Sequence, residues 1–243
     1  MKKFLKTFLI CFCLVPCVFL LGACGKKDKD NPNQVKVNTK GQYVATSAGE
    51  VQQLLTDAKT EENDIEKTYN SVRLSMVTEV KGDDATLKNE VHATIVNTET
   101  MQLKFQSIAL GQTTDLYVYQ GNAYLSVAGL KTSAPVGSGV IDVMSMISVL
   151  PTLSTFEEQI NNYVELTGAV IEKSVQGDVT KIHVSTQDAQ LDSSNDVWFI
   201  FDGQLITGIK TISKLANQTT TIDAEVGNDF QIAFPDFSEW GDE

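Results

Sequence analysis

No cysteine follows residue 24. The chain has four, Cys11, Cys13, Cys17 and Cys24, all near its N-terminal end. Disulfides and cysteine-based metal sites are therefore excluded from everything beyond that point. Histidine is nearly as scarce, with only His92 and His183 among 243 residues. A transition-metal site wants a cluster of such ligands, so both are read as strand residues and no metal is expected. Basic side chains are also outnumbered. There are 19 Lys and Arg against 31 Asp and Glu, a formal net charge of −12. Without Lys2, Lys3 and Lys6 the remaining chain carries 16 basic and 31 acidic groups. That field repels phosphate backbones and excludes nucleic acid as a partner. Catalytic signatures are missing too: there is no G-x-S-x-G, no S-x-x-K, no P-loop and no dinucleotide glycine pattern. The acidic pairs Glu61-Glu62, Asp83-Asp84 and Glu157-Glu158 are adjacent in sequence, where side chains diverge instead of converging as an acid/base dyad. No enzyme is expected.

What is present begins with an export signal. Lys2, Lys3 and Lys6 precede an uncharged apolar run from Phe8 to Leu21, interrupted by Pro16. A run of about 14 residues suits the h-region of a signal peptide, whereas a spanning helix needs ~20. Leu21-Gly22-Ala23-Cys24 then resembles the lipobox of bacterial lipoproteins. The resemblance implies a diacylglycerol on the Cys24 thiol, cleavage just before it, and acylation of the new α-amino group, with palmitate a typical chain. Two or three acyl chains anchor stably where one binds reversibly. Residues 1–23 are thus expected to be a signal peptide. Residues 24–46, poor in apolar groups, are expected to be the lipidated N-terminus and a flexible tether. The body is expected at the cell membrane, on its extracytoplasmic face, with the covalent lipid as its only added group.

Residues 47–243 read as a single α+β domain. Ser47-Ala48-Gly49-Glu50 has the S-x-x-E form of a helix start, and Val51, Leu54, Leu55 and Ala58 follow on one face, to about Lys59. From Val72 the apolar period becomes two. Strands are predicted at 72–80, 91–96, 101–106, 116–120 and 123–127, with Gly121-Asn122 as a hairpin loop. Val140 to Leu150 is apolar on nearly every side, which predicts a buried helix stopped by Pro151. Ser154 opens a second, with Phe156, Ile160, Tyr163 and Val164 on one stripe. Strands return at 170–175, 179–185, 197–201, 205–212 and 219–226, with Asp202-Gly203 as a hairpin loop. That loop would set Phe199 opposite Ile206 and Ile200 opposite Leu205, apolar groups on both faces.

From residue 47 to about 235 this order of elements resembles the lipoprotein-carrier superfamily with the LolA/LppX-like fold. The resemblance implies a strongly curved antiparallel sheet, an incomplete barrel, with an N-terminal helix and a central helix pair packed on its concave face. It also implies a cavity there for a lipid or an acylated molecule. Met144, Met146 and Ile147 on the all-round apolar helix, with Phe156 after it, are candidates to line that cavity, because methionine adapts to ligands of varied shape. Tyr117 and Trp198 are candidates from the strands. Partners are then the membrane, through the anchor, and a hydrophobic ligand. The alternative is a non-catalytic envelope scaffold whose outer surface binds a protein or cell-wall partner, through an exposed patch such as Trp240 and the tail.

Overall fold

The computed structural model describes residues 33–58, 69–83, 85–97, 99–143 and 168–242. A short strand, β1 (Val44–Ala45), precedes helix α1 (Ala48–Ala58). Six strands follow: β2 (Ser71–Lys81), β3 (Thr86–Asn97), β4 (Met101–Ala109), β5 (Gln112–Tyr119), β6 (Asn122–Val127) and β7 (Leu130–Pro135). After residue 168 come β8 (Val170–Gln176), β9 (Val179–Asp188), β10 (Ser193–Asp202), β11 (Leu205–Leu215), β12 (Gln218–Gly227) and β13 (Gly241–Asp242). They form one open sheet in the order β1-β8-β9-β10-β11-β12-β2-β3-β4-β5-β6-β7-β13. Every pairing is antiparallel except β13 with β7. The incomplete barrel is therefore as expected. The central helix pair is not shown: beyond Val143 it lies outside the described residues.

Both halves of the chain carry the predicted strands. β7 is additional. Its Leu-Lys-Thr-Ser-Ala-Pro lacks apolar alternation, and its terminal proline suits a strand near a sheet edge. Two loops also shift by one residue. Gln120 and Gly121, with φ of 50° and 78°, form the tight loop, and Asn122 pairs with Tyr119. Positive φ at both positions is the type I′ geometry that matches strand twist. At the other hairpin Asp202 pairs with Leu205, and a bulge leaves Thr207 unpaired. Phe199 consequently faces Ile209 instead of Ile206, and Ile200 faces Gly208 instead of Leu205. The loop, set one position later than expected, accounts for two residues of that shift, and the extra residue of the bulge for the third.

One face of the sheet, here the inner face, carries two apolar clusters. At the β8–β2 end, Leu74, Ile182, Val184, Val197, Phe199, Phe201, Ile209 and Ile222 pack with Val51 of α1. At the β3–β7 end, Ala93, Leu103, Phe105, Leu116, Val118, Ala123 and Ala134 pack with Ile141 and Val143. Helix α1 is held where it starts. The Ser47 Oγ accepts the Glu50 N–H at 3.2 Å, and the Glu50 carboxylate takes the Thr46 hydroxyl and faces Lys173. Val51 then points into the core with no exposed surface.

Residues 33–46 depart from the expected tether. They cross the opposite, outer face of the sheet and turn around its edge into β1. The reason is local: Val35 and Val37 stand two apart in an extended segment, so both side chains point the same way. They are 6% and 8% exposed. The tail from Asn228 to Trp240 covers the other end of the outer face before β13 pairs with β7.

Phe199, with Phe201, is the largest wholly buried side chain among the described residues. Phe199→Ala is expected to cost about 3–5 kcal/mol. A fall in the urea midpoint at unchanged slope checks this.

Candidate functional site

Two surfaces could act: the apolar inner face and the polar outer face. Along β3–β6 the inner face includes Val91, Ile95, Met101 and Leu125, which are only partly buried. A cavity of about 230 Å³ opens beside α1, lined by Leu54, Lys173, Val175 and Thr180 with Glu50 and Asp57 at its rim. Its charged rim distinguishes it from the cavity expected next to the central helices.

The outer face is organised by a single row of cross-strand partners. In register from β8 to β5 these are Glu172, His183, Trp198, Lys210, Asp223, Ser75, His92, Gln106 and Asp115. Each is bonded or stacked to a neighbour. His183 lies flat on Trp198, with centroids 4.5 Å apart and planes 8° from parallel. Its two ring nitrogens face Glu172 and Asp196, each at 3.1 Å. Lys210 holds both oxygens of Asp223 at 2.8 and 3.0 Å. Gln106 donates to Asp115 at 2.8 Å.

The N-terminal strap lies along this row. The Val35 N–H donates to Ser75 Oγ at 2.6 Å, and the Val37 N–H to Asp223 Oδ1 at 2.9 Å. Asn33 bridges Gln106 and Lys104. Tyr43 sets its ring edge-on to His183 at 5.9 Å. Burial, and then the Glu172 charge, push the Tyr43 phenol above its ordinary value.

Beneath the strap, Ser75, His92 and Glu90 have the residue types of a hydrolytic triad. Ser75 Oγ is 2.8 Å from His92 Nδ1, and His92 Nε2 is 2.9 Å from a Glu90 oxygen. Ser75 is only 1% exposed, and its oxygen is capped by the Val35 amide. No carbonyl carbon can approach it in this arrangement. One assignment of hydrogens satisfies every group. The Val35 N–H donates to Ser75, the Ser75 O–H to His92 Nδ1, and the His92 Nε2–H to Glu90. The trio therefore fastens the strap. Among the described residues no group of three or more His, Cys, Asp or Glu is arranged to hold a metal ion.

Of the candidates read from sequence, Cys24, Met144, Met146, Ile147 and Phe156 lie outside the described residues. Tyr117 and Trp198 are corrected: both sit on the outer face. Leu116 and Val118 occupy the inner core, so alternation sends Tyr117 outward. There it meets Phe234, Phe237 and Trp240 of the tail at centroid distances of 6.3, 5.7 and 6.1 Å. Tyr124 stacks on Phe237 at 3.7 Å. Trp240 is 8% exposed and so offers no outward patch. Sequence reading passes over Val35, Val37 and the Ser75–His92 pair. The alternation Val35-Lys36-Val37 is the one signal that could have revealed the strap.

No protein-family model matches the chain, and no curated protein matches it in sequence. Solved structures do resemble it. LprF from Mycobacterium bovis is 15% identical, over 79% of this chain and 99% of its own, with a TM-score of 0.45. The lipoprotein LppX of Mycobacterium tuberculosis is 14% identical, over 75% and 99%, with a TM-score of 0.38. A LolA superfamily protein from Nitrosomonas europaea is 9% identical, over 77% and 96%, with a TM-score of 0.24.

Burial lowers the pKa of His92 below its ordinary 6.5, and the Glu90 contact only partly offsets this. The unfolded chain then binds a proton that the folded ring resists. Stability from this site is present above about pH 6.5 and is lost as pH falls below it. The denaturation midpoint is expected to drop between about pH 7.5 and about pH 5.5, and to drop less in His92→Gln. Equal drops in the two proteins would refute this account.

Proposed function

We propose that the chain is a lipid-anchored protein of the extracytoplasmic membrane face that holds a hydrophobic ligand against the inner face of its sheet, without catalysis. The observation that supports this best is the inner face itself. It carries an apolar cluster at each end, β8–β2 and β3–β7, and the sheet that bears them does not close. Apolar clusters on one face of an open sheet favour burial against something on that face. Helix α1 covers only the β8–β2 end. At the other end Val91, Ile95, Met101 and Leu125 keep part of their surface accessible. Burying such surface contributes about 25 cal/mol per Å², with no need for directional bonds. That suits acyl chains, which vary in length and conformation. In this reading Met144, Met146, Ile147 and Phe156 complete the lining.

The anchor in this reading is Cys24. Among the described residues no helix is long and apolar enough to cross a membrane. The lipobox-like Leu21-Gly22-Ala23-Cys24 supplies attachment instead, and the positive n-region before it supplies export.

Labelled palmitate is expected to enter the wild-type protein and not Cys24→Ala, and the variant is expected to lose firm membrane attachment. Equal labelling of both proteins would sink the anchor. Native mass spectrometry of the released protein is expected to show lipid beyond the covalent chains. Protein that arrives free of lipid and takes none up would sink the ligand.

A further inference from the structure

A groove of about 640 Å³ lies on the outer face, between the strap and the start of the tail. That volume is within the ~300–1,000 Å³ range of small-molecule sites. Val179 and Lys181 of β9, Ile200 of β10 and Gly208 of β11 form its floor, with Val37 of the strap and Phe230 of the tail as walls. The lining is mixed: Val37, Val179, Ile200, Val226 and Phe230 are apolar, while Asn38, Gln176, Thr207, Glu225 and Lys181 are polar or charged. Lys181 is its one cation among the described residues.

Lys181 is only 6% exposed. Its ammonium donates to the Lys40 carbonyl oxygen at 2.6 Å. An ammonium has three donors and no acceptor. Among the described residues no carboxylate pairs with it. Glu225 lines the same groove, but its carboxylate is held by Arg73 at 2.8 Å. The contrast with Lys210 is direct. Lys210, on the same face, has Asp223 at 2.8 Å. A cation taken out of water without an anion is costly, and here it borders a groove of ligand size. The rest of the chain is strongly acidic, but a surface field is screened over about 8–10 Å, whereas a buried contact is not.

We propose that this groove binds an amphiphilic anion. A fatty-acid-like carboxylate sits on the Lys181 ammonium, and its chain lies along Val37, Ile200 and Phe230. A phosphate head presents the same acceptor chemistry. The absence of a side chain at position 208 keeps the floor open. A Cβ there would stand 3.6 Å from both Ile200 Cγ1 and Val37 Cγ1, and 3.4 Å from the Ala224 oxygen. The site is separate from the inner face and does not depend on the ligand proposed there.

The test uses the full lipid-anchored protein in phosphatidylcholine nanodiscs, with a photoreactive dodecanoate and mapping of cross-linked peptides. Cross-links are expected on peptides carrying Val37, Ile200, Gly208 and Phe230. Lys181→Met is expected to reduce them severalfold, and Lys181→Arg to retain them. The uncharged dodecanol analogue is expected to respond to neither substitution. Lys181-dependent labelling by dodecyl phosphate alone would assign a phosphate head to the same site. If Lys181→Met lowers the melting temperature, Gly208→Leu serves as the second variant. It fills the floor, keeps Lys181, and is expected to abolish the cross-links. Undiminished labelling in both variants overturns the proposal, as do cross-links confined to inner-face peptides of the β3–β4 strands, such as those of Ala93 and Phe105. That last result would leave the inner-face ligand standing, so the two ideas fail separately.

Discussion

A row of polar side chains across the outer face, running from Glu172 to Asp115, is the constraint on which the rest of the structure depends. Each strand from β8 to β5 contributes one member. Side chains alternate between faces, so a slip of one residue in any pair would send that member into the apolar core. The bonds within the row therefore oppose register errors along most of the sheet. Asp223 shows how closely the groups are matched. It is 2% exposed and takes donors from Lys210 and from the Val37 amide. Either donor alone would leave a buried carboxylate under-satisfied.

The strap follows from that row. A polar ladder with no cover would be wet, and its bonds would be worth less. Val35 and Val37 exclude water, while their amides supply donors that Ser75 and Asp223 accept. The tail does the same for the far strands with aromatic rings, in place of hydrogen bonds. Tyr117, Tyr119 and Tyr124 meet Phe234, Phe237 and Trp240 there. Both faces of the sheet are thus covered by different chemistry. The inner one holds the two apolar clusters, and the outer one carries the paired polar row under its strap and tail. Lys181 is the member of the outer face that this pairing leaves unbalanced.

The division also separates roles along the chain. The strap emerges on the outer face, next to β4, whereas α1 reaches the inner face only after the chain has turned around the β8 edge. Asn33, where the described chain starts, therefore lies on the face opposite the apolar clusters.

Much of the architecture was legible from local pattern. Alternation at Val72–Val80 and Val179–Ser185 marks strands because a half-buried strand has period two. Asp202-Gly203 marks a turn because few residues accept positive φ. The proposed export signal and anchor at Cys24 rest on four residues and their flanks, with no fold needed. What local pattern could not reach is which elements meet over long separations. Ser75 bonds Val35 across 40 residues, and Asp223 bonds Val37 across 186. Nothing near Val35 announces either partner, so a polar segment that is docked reads like one that is free. The same limit misplaced Tyr117 and Trp198: alternation shows that successive residues face opposite ways, but only packing decides which way is inward. The later loop at 203–204 and the bulge at Thr207 together moved a register that turn chemistry alone had set. The amino-acid order by itself determined strands and turns. The tertiary structure decided which face holds the apolar clusters, what covers the other, and where a buried ammonium meets a backbone carbonyl but no carboxylate among the described residues, because those depend on contacts between residues far apart in the chain.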